Sequence, residues 1–212
     1  MEPDLFIAAG WVAHGLLTTP ELAARWDEPS ALAEFRTGGL AGHLARQVLN
    51  VERFLAIPVA DDTPRLTLDQ WHVEGAGGKG DEGLDSEMHV WIRARADEAA
   101  AAGPVALAAS VAAALDRLAI ALPAEDPGRW VDLFGDQALT LDDLLTSRLI
   151  EIVVHADDLA VSLGVPGPEF PAEVTELVLG RLLRYSVARN GAVAVLRALS
   201  RTERAPASVS AY

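Results

Sequence analysis

The side chains best equipped for chemistry lie in one stretch, Arg148-Leu149-Ile150-Glu151-Ile152-Val153-Val154-His155-Ala156-Asp157-Asp158. Arg148, Glu151, His155 and Asp158 follow one another at intervals of three, four and three. At roughly 100° per residue they fall within about 80° of each other around a helix. Glu151 and His155 then stand one turn apart on one face, a carboxylate and an imidazole spaced to clamp a metal ion. On an exposed helix the same spacing is an ordinary surface ion pair. Here Leu149, Ile150, Ile152, Val153 and Val154 surround the pair, so the element belongs in a core. Ionisable groups there need partners, and a metal would be one.

A third donor comes from another apolar segment, TGGLAGHLARQVLNVERFLA, Thr37 to Ala56. Leu40, Leu44, Val48, Val51 and Leu55 give it a helical core stripe, and Pro58 ends it. His43 stands beside that stripe, with Gln47, Asn50 and Phe54 continuing its line. Two imidazoles and one carboxylate would leave one coordination position for water or a substrate atom, as catalytic zinc sites do. Gly38, Gly39 and Gly42 in the first turns weaken a helix by up to about 1 kcal/mol each, which points to close approach of another element.

The remaining titratable groups carry weaker signals. Asp158 is placed to orient His155 through its other ring nitrogen, or simply to cap or pair with Arg148. His89 and Arg93 share a helix face that would line a pocket or be solvated. His14 reads as a surface or boundary residue, and His72 falls in a loop without an evident partner. The run GAGGKGDEG, residues 75–83, lacks the Walker spacing and its Lys-Ser/Thr, so it is no phosphate cradle. No serine sits in a nucleophile-elbow sequence.

The elements that must position these groups are helices. Residues 4–17 form one, with Leu5, Ala9, Val12 and Leu16 as its stripe, and Pro20 after Thr19 opens a short second one. From 59 to 83 the pattern dissolves into a long, mobile loop around a short element, LTLDQWHVE. Asp85 or Ser86 caps the helix SEMHVWIRARADEAAAA, and Gly103-Pro104 separates it from an Ala-rich helix to Leu122. EDPGRWVDLFGDQ reads as a loop. Thr140-Leu141-Asp142-Asp143 resembles a capping box, opening the helix that carries Glu151 and His155 and ends at Leu163 before Gly164. Two amphipathic segments, PAEVTELVLGRLLRYSVARNG and AVAVLRALS, precede a short strand or ordered tail. The expected fold is all-α: a four-helix bundle over 1–165 and a small helical C-terminal extension over 166–212.

Composition narrows the partners. The chain has 212 residues, a net charge of -14 and no cysteine. The charge disfavours nucleic acid and anionic membranes, which need clustered Lys or Arg. No cysteine means no disulfide, no thiolate ligand and no cysteine nucleophile, so any sulfur must arrive on a small molecule. The most apolar stretch, Val105 to Leu122, is interrupted by Asp116 and Arg117 and is not expected to span a membrane. With acidic Glu2 and Asp4 where a signal would be basic, a cytoplasmic protein is expected.

GGLAGHLARQVL and SRLIEIVVHADDLAVSLG together resemble the metal-binding pattern of the mycothiol-dependent maleylpyruvate isomerase group, in the DinB/YfiT-like superfamily. The resemblance implies a four-helix bundle holding a divalent metal through His43, Glu151 and His155, with Asp158-Leu159 after them. The tail from Ala192 to Tyr212 is similar to the C-terminal region of many members. It further implies zinc, with nickel or iron as alternatives, and mycothiol or a similar thiol as cofactor or co-substrate. A thiolate would attack a small electrophile, for cis-trans isomerisation or S-transfer, with Arg93 or Arg148 holding a carboxylate and Gln47 nearby. Bundles of this kind often dimerise. The glycine-rich loop and short extension depart from the isomerase where substrate contacts would arise, so the substrate stays open. Metal-activated water in a hydrolase, and a non-catalytic ligand-binding or partner-binding bundle, are the alternative expectations.

Overall fold

The computed structural model describes residues 3–74, 85–133 and 137–211. The helices are α1 (Pro3–Leu17), α2 (Pro20–Ala24), α3 (Thr37–Ala56), α4 (Leu68–Glu74), α5 (Glu87–Ala100), α6 (Pro104–Ala121), α7 (Leu141–Leu163), α8 (Ala172–Asn190) and α9 (Ala192–Ser200). The architecture is an all-α, DinB-like bundle. Helices α1 and α3 each pack against both α6 and α7, which makes a four-helix core. Phe6 and Ala9 of α1, Leu44 and Val51 of α3, Leu115 and Leu118 of α6, and Leu149 and Ile152 of α7 meet there, each almost fully buried. Burying each large side chain is worth about 1.5–3 kcal/mol, which holds α7 in place despite the polar groups it carries inward.

Local chemistry sets the ends of the helices that matter for the site. Thr140 caps α7, its hydroxyl accepting from the Asp143 N–H at 3.1 Å. The capping box is half-used, because the Asp143 carboxylate accepts from the Leu68 N–H at 3.0 Å and anchors α4 instead. Gly164, left-handed at φ 69°, closes α7 after Leu163. Ser86 caps α5, and Gly103 at φ 87° separates α5 from α6.

The glycines of α3 explain how α5 comes so close. A Cβ at Gly42 would collide with the Ala96 carbonyl oxygen, and one at Gly38 with the Trp26 indole. The glycine therefore serves packing, at a cost in helix propensity that the α3–α5 contact offsets.

Several sequence expectations are corrected. The inward stripe of α1 is Phe6, Ala9, Gly10, Ala13, Leu16 and Leu17, while Leu5 and Val12 lie at its margin. The segment around 130–140 is an antiparallel pair, Trp130–Leu133 (β1) with Gln137–Thr140 (β2), in the register Val131 to Leu139. Its buried Val131, Leu133, Ala138 and Leu139 seal the bundle end, a pairing that a short alternating run beside Gly and Asp did not reveal. The short element within the long loop, whose type the sequence left open, is the helix α4, Leu68–Glu74. The glycine-rich run 75–83 lies outside the described residues. By length and hydropathy Pro104–Ala124 does reach the dimensions of a membrane span, Asp116 and Arg117 notwithstanding. Its Leu107, Val111, Ala114, Leu115 and Leu118 are spent on the bundle core. The C-terminal residues form an ordered tail, with Ser186 Oγ donating to the Val209 carbonyl at 2.6 Å.

Candidate metal centre

His43 projects from the second turn of α3, and Glu151 and His155 from the middle of α7, where those two core helices face each other. His43 Nε2 lies 3.2 Å from His155 Nε2. Glu151 Oε2 is 3.2 Å from His155 Nε2 and 3.8 Å from His43 Nε2. The imidazoles meet edge to face, with centroids 4.5 Å apart and planes at 83°. One donor atom from each residue falls within 4.8 Å of the others. The three side chains keep only 14%, 25% and 16% of their surface exposed, in the order His43, Glu151, His155, so the cluster is largely withdrawn from solvent.

Protons alone satisfy this arrangement poorly. Two ring nitrogens and a carboxylate oxygen point at one spot, and one proton can lie along only one of the three lines. Burial opposes charge on His155, but hydrogen bonds to Asp158 and Glu151 outweigh it and raise its pKa to about 9. Burial dominates at His43 and lowers its pKa. Burial also works against the Glu151 carboxylate, yet its bonds to His155 and His43 hold it well below the usual range. Without a cation, the proton therefore resides on His155. Two imidazole nitrogens and a carboxylate are a donor set that suits a divalent ion, which would satisfy all three lone pairs together.

The surrounding groups fix these donors. Asp158 Oδ2 sits 3.0 Å from His155 Nδ1, which leaves Nε2 facing the cluster. Gln47 is buried; its amide Nε2 donates to the His43 carbonyl at 3.0 Å and lies 3.4 Å from His43 Nε2. Arg148 Nη1 donates to Gln47 Oε1 at 2.8 Å and Nε to Ser147 Oγ at 3.2 Å. Its guanidinium lies 5.9 Å from the Trp71 ring centroid. Phe35 meets the His43 ring edge-on at 5.8 Å. His43 Nδ1 is buried and has no hydrogen-bond partner among the described residues, so that ring is held by its neighbours and through Gln47.

The structure thus brings His43, Gln47, Arg148, Glu151, His155 and Asp158 into one connected set. Arg148 and Asp158, ten residues apart on one helix, are about 15 Å apart along its axis and serve different partners. Arg93 is half-buried on α5, the helix that crosses α3 at Gly42. His89 begins that helix, its N–H bonded to Ser86 Oγ, and His14 meets Trp11 edge-on. Sequence reasoning missed Trp71 and Tyr185 and left His72 without a partner. His72 stacks on Tyr185 with centroids 3.6 Å apart, and burial lowers its pKa while Glu151 opposes that shift. The adjacent Trp-His on a short apolar helix was the available signal. Its partners lie on α7 and α8, beyond the reach of local pattern.

Fold and cluster together define a class: a helical bundle with a His₂-carboxylate cluster formed between two of its core helices. The chain matches the mycothiol maleylpyruvate isomerase N-terminal domain family over residues 9–160, and it belongs to that family. Comparison with curated proteins and with solved structures returned no match.

Proposed function

We propose that this protein is a divalent-metal-dependent enzyme that uses a low-molecular-weight thiol of the mycothiol kind, as an S-transferase or cis-trans isomerase acting on a small electrophile. The observation that carries the proposal is the convergence of His43 Nε2, Glu151 Oε2 and His155 Nε2 on one point. These three residues would hold the ion, and two imidazoles with one carboxylate favour zinc over nickel or iron. A divalent ion held by these residues would lower the pKa of a thiol sulfur and supply thiolate at neutral pH. Membership of a family described by mycothiol and maleylpyruvate isomerisation supports the thiol, and the lack of cysteine means the chain supplies none itself.

The chain's own residues do the positioning. Asp158 keeps the proton of His155 on Nδ1, so that Nε2 presents its lone pair inward. Gln47, clamped by Arg148, holds the α3 backbone at His43. Arg148 places a buried positive charge beside the cluster, which favours anionic groups there.

Two measurements test this. Protein purified without a His-tag should carry about one divalent ion per chain, and His155→Ala should lose it. Turnover of small electrophiles should then require added mycothiol. Metal well below stoichiometric, unaltered by His155→Ala, would leave a non-catalytic bundle. Metal-dependent turnover indifferent to the thiol would point to hydrolysis by metal-activated water.

A further inference from the structure

The stripe of α3 that bears His43 continues toward its C-terminus through Arg46 and Asn50, at i, i+3 and i+7, and all three are partly exposed. Arg46 therefore sits about 4.5 Å further along the helix than His43, on the same side. Its guanidinium lies 5.4 Å from the Trp91 ring centroid, and that of Arg95 lies 5.8 Å from the same ring. Two cations thus share one indole of α5. A cation over an aromatic face is a common surface contact and needs no ligand. Partial burial without an ion pair sets this one apart, since Arg53, Arg65, Arg197 and Arg201, which also lack an ion pair among the described residues, are all exposed.

Acidic residues outnumber basic ones by 31 to 17 in this chain, so partners for arginine are plentiful. Arg36 pairs with Asp27 and Asp97, Arg117 with Glu52, and Arg181 and Arg184 share Asp69. Arg95 itself takes Glu98 at 2.7 Å. Among the described residues, Arg46 makes no ion pair. It is half-buried, and burial followed by repulsion from Arg95 and Arg53 lowers its pKa, with the Glu98 carboxylate opposing the shift. Arg46 also acts electrostatically on His43 and feels Arg148, which sets it within the field of the metal cluster. A cation partly withdrawn from water and crowded by like charges, whose nearby carboxylate, Glu98, is bonded to Arg95 instead, favours an external anion.

We propose that Arg46, seated on Trp91 beside Arg95, forms an oxyanion-binding subsite that holds a carboxylate or phosphate of the substrate while its reacting atom lies at His43, Glu151 and His155. The link to a reacting atom rests on the function proposed above; the anion site itself does not. Arg46 supplies the planar two-donor fork that fits an oxyanion, and Trp91 fixes the plane of that fork.

The test is titration of the full-length protein, zinc-loaded and chelator-stripped, with succinate, inorganic phosphate and uncharged succinamide. Calorimetry and the indole N–H resonance of Trp91, assigned with Trp91→Phe, are the readouts. Saturable binding of at least one anion, in both metal states, with a shifted Trp91 resonance and no response to succinamide, is expected. Arg46→Gln should weaken that binding at least tenfold and Arg46→Lys less, and the tighter anion identifies the substrate group. Absence of saturable binding by both anions, or binding that Arg46→Gln leaves within twofold, overturns the proposal. If Arg46→Gln does not fold, the wild-type resonance decides, and a Trp91 signal unmoved at saturation overturns it equally. Zinc stoichiometry, read separately, reports on the metal reading: anion binding without zinc sinks that reading alone, and zinc without anion binding sinks this one alone.

Discussion

At the scale of single residues, the proton on His155 is the most informative feature. Asp158 and Glu151 hold its pKa at about 9 against the cost of burial. Raised above the ordinary value near 6.5, it contributes stability to metal-free protein that is complete below about pH 6.5 and is lost as pH climbs through 9. A metal at Nε2 must displace that proton. Zinc binding at pH 7 should therefore release about one proton, because the lowered pKa of His43 leaves its ring neutral there. Calorimetry in buffers of different ionisation enthalpy measures the number, and zero would contradict the site. Tyr185 offers a second residue-scale test. Its hydroxyl is buried and has no hydrogen-bond partner among the described residues, and burial pushes its pKa up to about 12. Removing an unsatisfied group relieves a desolvation cost, so Tyr185→Phe should be neutral or stabilise by up to about 1 kcal/mol in urea unfolding. A loss larger than that would mean the hydroxyl has a role at the site.

At the scale of elements, the α3–α5 contact sets the position of His43. Gly42 precedes it, and any Cβ there meets the Ala96 carbonyl, a backbone atom that cannot rotate away. Gly42→Val should cost about 1–3 kcal/mol through overpacking and should weaken zinc binding by displacing His43. Gly15 is the control, since a Cβ on that turn of α1 meets nothing within 4 Å. Gly15→Ala should stabilise by about 0.5–1 kcal/mol through helix propensity alone. Equal effects of the two substitutions on urea midpoints would refute the packing role of Gly42. The same comparison shows why sequence periodicity located α3 so well. Its bounds, Thr37 to Ala56, follow from an apolar stripe and a terminating proline, both local features.

At the scale of the whole molecule, the site joins α3 to α7 across the bundle, with α4 and α8 adding the His72–Tyr185 stack beside it. An ion bound there stabilises the native chain only, because the unfolded chain does not hold His43 near Glu151 and His155. Zinc at a hundred times its Kd should add about 2.7 kcal/mol, or roughly 5–10 °C in Tm for a chain of this size. A chelator should reverse the gain, and His43→Ala should abolish it. A thermal shift that persists in His43→Ala would place the metal elsewhere.

Much of this protein is local in origin. Periodicity, caps and helix stops determined α3, α5, α6 and α7, and with them the all-α class, because each depends on residues within a few turns. The spacing from Glu151 to His155 is local in the same sense, and it placed a carboxylate and an imidazole on one helix face. The tertiary structure decided what spacing cannot. It chose the rotation of α3 against α7 that brings His43 to 3.2 Å from His155 across 112 residues of sequence. It gave Asp158 to His155 and Arg148 to Gln47, two partnerships that the stripe left open. It docked the Leu68–Glu74 helix on α7 by tying Leu68 to Asp143, and it paired Trp130–Leu133 with Gln137–Thr140. Those contacts depend on which surfaces the bundle leaves to be covered, a property of the packed chain and of no single segment.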